Sequence, residues 1–195
     1  MKTIVTLLLA LYIHTVSFAQ RPQWTTVSLE NKSYTTEHYI YFKDINHSLD
    51  KFIGTWIYNQ GNDSFKITFI KKLNQPSPIN HFQKLDLLIS HYEYKQNGTI
   101  IFETYTTNFS LVDYVLLKDS DNMVMLYGEP SFTHPSKKRI GDLLVTYSLN
   151  SSNQPILTWV RTDYPVRELP IPYRGYTTSD ISDFIAPANM ILIKE

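Results

Sequence analysis

The chain has no cysteine among its 195 residues. That absence excludes a disulfide framework, a thiolate nucleophile, a cysteine zinc site and a lipid-modified N-terminal cysteine. Glycine is scarce, with six residues, and none of them forms a phosphate-cradling loop. Net charge is absent as well, because 18 basic side chains balance 18 acidic ones. A broad nucleic-acid surface needs a basic excess to displace counterions, so nucleic acid is not an expected partner. Beyond Ala19 the only alanines are Ala186 and Ala188, and helix formers are correspondingly few. What the chain has instead is 19 Ile, 19 Thr, 14 Tyr and 10 Phe. β-Branched and aromatic residues suit a pleated, half-buried surface, so the expected class is all-β. The length fits one domain, which buries roughly 70% of its unfolded surface and needs no covalent staple.

One long apolar run exists. Met1 and Lys2 precede Ile4 to Ile13, and Ser17-Phe18-Ala19 follows with its small-x-small ending. This is the pattern of a secretory signal peptide over residues 1–19. The run is shorter than the about 20 residues that a membrane helix needs. The expected destination is therefore secreted or periplasmic, with no membrane span in the mature protein. Residues 20–49 read as an N-terminal extension with a short helical plug, and residues 50–195 as a β-barrel domain. Within the extension, Asp44 can cap a helical turn on which Ile45, Leu49 and Phe52 fall at helical spacing.

From Phe52 onward the chain reads as about nine strands with hairpin-length connections. Such spacing suggests a sandwich or an antiparallel up-and-down barrel. Trp56, Tyr58, Phe65, Ile67 and Phe69 alternate along the first two strands and share one face. In a small barrel they either fill the interior or line a cavity. Asn97-Gly98 is the strongest hairpin signal, because both turn positions need positive φ. A two-residue turn there places Tyr94 opposite Ile101 and Tyr92 opposite Glu103. If that face points inward, Tyr92 lines the interior and Glu103 orients a ligand. If it points outward, Glu103 is an ordinary solvated acid. Leu85, Leu87 and Ile89 have the opposite phase to Tyr92, so a bulge near Leu88 is expected.

The segment Asp50-Lys51-Phe52-Ile53-Gly54-Thr55-Trp56 resembles the opening strand of the calycin barrels, the lipocalins among them. Their first strand carries Gly-x-Trp after a short helical turn that plugs the barrel. The resemblance implies an antiparallel up-and-down barrel in which Gly54 admits the plug and Trp56 closes one end. Thr162-Asp163-Tyr164 matches a second lipocalin motif by letter, but a proline-rich stretch follows it where strand and helix should stand. The avidin pocket uses several tryptophans, and only Trp159 follows Trp56, which argues against biotin. The chain looks most like secreted bacterial lipocalin-like domains of unknown function, a resemblance that brings no activity with it.

Catalytic chemistry has little support. His38, His47, His81, His91 and His134 form no i, i+2 or i, i+4 metal pair. No Gly-x-Ser-x-Gly elbow exists. Asp119-Ser120-Asp121-Asn122 lacks the glycine and distal glutamate of a calcium loop and reads as a turn. No enzyme, cofactor or metal is therefore expected. The first functional reading is a barrel that binds a small apolar or amphipathic ligand on Trp56, Tyr58, Phe65, Ile67, Phe69, Tyr92 and Glu103. The alternative is a filled-core secreted or envelope scaffold that binds a protein or glycan through its surface. The sequence leaves the oligomeric state open.

Overall fold

The computed structural model describes residues 23–31, 39–77, 80–104, 116–117, 119–130, 138–162, 177–178 and 185–195. Among them the strands are β1 (Thr25–Ser28), β2 (Ile40–Lys43), β3 (Gly54–Gln60), β4 (Asp63–Pro76), β5 (Gln83–Gln96) and β6 (Thr99–Glu103). They continue with β7 (Leu116–Leu117), β8 (Asn122–Pro130), β9 (Lys138–Leu149), β10 (Pro155–Thr162), β11 (Thr177–Thr178) and β12 (Asn189–Lys194). The only helical elements among the described residues are 3₁₀ turns at Leu29–Asn31 and Asp50–Phe52. The all-β expectation holds. The expected signal peptide, and the motif residues Asp163 and Tyr164, lie outside the described residues.

All the strands join one sheet in the order β1-β2-β5-β4-β3-β12-β10-β9-β8-β7, with β6 on β5 and β11 on β9. Two features depart from an antiparallel up-and-down barrel. The sheet is mixed, because β1 with β2, β2 with β5, and β11 with β9 are parallel pairs. It is also open, since among the described residues no pairing joins β7 to the opposite end of the sheet. The mixed character enters the sheet at β5. Its outer side is taken at the start by β2 and at the end by β6. The described residues of the segment 20–49 contribute to the sheet. β1 and β2 extend it, and Leu29, Ile40, Phe42 and Leu49 belong to the core cluster.

The turns follow residue chemistry closely. Asn97 and Gly98 take φ of 50° and 76°, as a type I′ hairpin requires. Gly61 takes φ of 61° at the first turn position between β3 and β4. The β5–β6 register shifts between Tyr94 and Lys95, so Tyr94 faces Phe102 rather than Ile101, and Glu93 faces Glu103. The expected bulge near Leu88 sits instead on β4, where Leu73 and Asn74 interrupt the pairing opposite Asp86. Asn74, in the left-handed region at φ 55°, turns its N–H onto the Asp86 carboxylate at 2.9 Å. Local twist there lets Leu85 and Asp86 both be buried.

The helical turn is shorter than its pattern suggested. The Asp44 carboxylate accepts the Ser48 and Leu49 N–H groups at 2.8 and 3.2 Å, and regular 3₁₀ geometry begins at Asp50. Leu49 and Phe52 are buried, whereas Ile45 is 51% exposed. Phe52 then hands directly to the Gly-x-Trp strand, because the Trp56 indole N–H donates to its carbonyl at 2.8 Å.

Candidate functional site

The expected ligand wall lies on β3, β4 and β5. Trp56, Phe65, Ile67, Phe69 and Tyr92 all point to the inner face and are buried. They meet one another and their neighbours across the sheet. The Phe65 ring lies 5.0 Å from Trp159 and 6.0 Å from Tyr92, and Tyr92 lies 5.9 Å from Phe102. Edge-to-face and offset contacts of this kind are how aromatic side chains pack a core. Tyr147 closes a second set, 6.0 Å from Phe52 and 6.4 Å from Trp56. Tyr58 shares the inner phase but lies half-buried at the hairpin end, where its hydroxyl donates to Gln60 Oε1 at 2.6 Å. Glu103 does not join the wall. The bulge at Lys95 places it on the outer face opposite Glu93, so its ligand-orienting role is corrected.

Gly54 has a different role from the one expected. Its φ is +116°, and a Cβ there would come 3.1 Å from the Lys194 side chain. The missing side chain makes room for Lys194, whose ammonium lies 5.2 Å from the Trp56 ring centroid. This cation over an indole face belongs to the junction of β3 with β12, not to a plug.

A second constellation, hidden from the sequence, joins the N-terminal segment to the sheet. Asp86 is buried in β5 and accepts the Tyr41 hydroxyl at 2.6 Å, the Asp44 N–H at 3.0 Å and the Asn74 N–H at 2.9 Å. Asp44 is also buried and accepts Lys71 Nζ at 2.6 Å besides the two N–H groups of its turn. Lys71 reaches Asp50 as well, at 2.5 Å. Glu30 accepts Asn46 Nδ2 and the Ser48 hydroxyl at the rim. Burial raises the Tyr41 phenol to about 12, with help from its hydrogen bond to Asp86. Hydrogen bonding from Lys71 holds Asp50 below the ordinary carboxylate range, and bonding from Ser48 and then Asn46 does the same for Glu30. Burial alone would pull Lys71 down, but Asp44 and Asp50 outweigh it and raise its value. Both carboxylate oxygens of Asp44 and of Asp86 are engaged by donors. Such saturation suits a structural joint, since a reacting acid or base needs a free position toward substrate. The sequence carried one signal for it, an aspartate inside Leu85-Asp86-Leu87-Leu88.

Asp119 behaves as the turn residue it resembled, accepting the Asp121 and Asn122 N–H groups at 3.0 Å each. Among the described residues no group of three His, Asp or Glu side chains converges to hold a metal ion. No helix among them is long and apolar enough to cross a membrane.

These features define an all-β protein with a buried aromatic inner face. Over residues 1–195 the chain matches, and belongs to, the family of unknown function DUF6705. No curated protein and no solved structure matches it. The family brings no activity, and nothing positive indicates catalysis.

Proposed function

We propose that this protein is an exported, calycin-related binding module that engages a protein or glycan through its outer surface. The observation that carries this reading is the mutual packing of Phe65, Tyr92 and Trp159, which occupy the space a barrel ligand would need. Kinship with calycins draws on Gly54-Thr55-Trp56 behind a 3₁₀ turn, and on the pairing of β3 with the last strand β12. Export draws on the pattern of residues 1–19.

The first reading, a small apolar ligand held inside, keeps one observation in its favour. The Ser90 hydroxyl points inward from β5, is 3% exposed, and has no hydrogen-bond partner among the described residues. A buried polar group in that state is what a guest molecule would satisfy. Native mass spectrometry of the protein purified from its own host, followed by organic extraction, separates the two. The expected result is a bare mass. A retained small molecule would overturn the filled-core reading and name the ligand class.

A further inference from the structure

Strands β1, β2 and β5 run parallel and begin side by side, with Thr25 beside Ile40 and Ile40 beside Gln83. The residue just before each start is aromatic: Trp24, Tyr39 and Phe82. Strand pairing therefore sets three rings in a row. Their centroids are 5.3 Å apart from Trp24 to Tyr39 and 5.5 Å apart from Tyr39 to Phe82, close to the about 4.8 Å spacing of paired strands, and each ring meets the next edge to face at 77° and 85°. The His81 ring lies 3.9 Å from Phe82 and extends the row. Phe82 is 42% exposed, although a phenylalanine in a dry core would be covered.

Two further features separate this row from ordinary packing. Tyr39 has φ of 42°, a left-handed conformation that is uncommon for a bulky residue. It is held there by the Thr25 N–H on its own carbonyl at 2.8 Å and by the bond of Ile40 N–H to the Phe82 carbonyl at 3.0 Å. Lys84 places its ammonium 4.4 Å from the Trp24 centroid, and among the described residues no carboxylate pairs with it. The corner thus offers the exposed Phe82 ring, an indole N–H, a phenol, an imidazole and one cation that has no acidic partner among the described residues.

We infer that this aromatic row is a docking strip for a linear acidic polysaccharide, which deepens and rests on the surface-binding reading above. Sugar rings have flat apolar faces edged by hydroxyls, which suit aromatic faces edged by donors. Their rings repeat along a chain at a spacing comparable with that of the row. A carboxylate on the sugar would supply the acidic partner that Lys84 does not find among the described residues, which a neutral glycan would not. Exposed aromatic side chains are also the residues that dominate binding energy at interfaces.

The test is affinity electrophoresis of the mature protein in gels containing polygalacturonate, with neutral xylan as the comparison. Polygalacturonate should retard the protein more than xylan does, and added salt should weaken the effect. Phe82→Ala should weaken retardation by about tenfold. Lys84→Gln should weaken it several-fold while leaving the thermal transition in place, so that loss of folding is not mistaken for loss of the site. No retardation of the wild-type protein, or retardation that survives both substitutions, would overturn the docking strip. Retardation equal in xylan and indifferent to Lys84→Gln would overturn its acidic specificity. The parent reading fails by a different result, the recovery of an extracted interior ligand.

Discussion

The inner face and the N-terminal joint hold this protein together by opposite means. The inner face is aromatic and buried, with Phe65, Tyr92 and Trp159 in ring contact. The joint is polar, with Asp44 and Asp86 buried but every carboxylate oxygen engaged. Apolar packing has no direction, so it tolerates changes of pH and punishes changes of volume. A saturated polar network has strict geometry and protonation, so it should respond in the reverse sense. Two regions of one sheet are therefore separable by experiment.

The largest effect is expected on the inner face. Trp159→Ala should cost about 3–5 kcal/mol, because the lost ring leaves a cavity among Phe65 and its neighbours. A urea titration measures it, and a loss near zero would mean the face is not packed. Phe69→Trp, an overpacking change at a buried site, should cost about 1–3 kcal/mol. Near-neutral behaviour there would reveal unfilled space and revive the interior ligand.

At the joint, Asp86→Leu should cost about 1–3 kcal/mol, since the Tyr41 hydroxyl and the Asp44 and Asn74 N–H groups lose their acceptor. Its signature should be local. Amide exchange over residues 40–52 should speed up more than exchange in β10. Equal acceleration in both would erase the distinction between the regions.

The smallest effect is the pH response, and its sign follows from the shifts. Asp50 and Glu30 sit below their ordinary values in the folded chain. Their contribution is present above the ordinary carboxylate range and is lost as pH falls through their folded values. Tyr41 is raised to about 12. Its contribution is complete below the ordinary tyrosine value of 10.0 and is lost as pH rises toward 12. Exchange over residues 40–52 should thus rise at both extremes before β10 responds. A flat profile would show that the joint has no linkage to protonation.

The strand series was legible because period-two alternation and turn residues are local signals. Asn97-Gly98 adopts the two positive φ values that only a type I′ turn demands. Burial of Trp56, Phe65, Ile67 and Phe69 was readable from their shared phase. Their ring contacts were not, because Trp159 comes from a distant strand and Phe102 was turned to the other face by the bulge at Lys95. Glu103 was misplaced by one bulge, since a single extra residue reverses every side chain beyond it. The joint escaped because Asp86 and Tyr41 lie 45 residues apart, and only the parallel pairing of β2 with β5 brings them together. The open, mixed sheet escaped for the same reason: nothing local to Ile40-Tyr41-Phe42-Lys43 says which strand it will join.

The position of β12 has a kinetic consequence. It lies between β3 and β10 and is the link through which the meander β3–β6 meets the strands β7–β10. The two halves therefore cannot zip together until the final element in chain order arrives. Contacts of such long sequence separation make folding slow, and an emerging chain lacks the piece that would lock it.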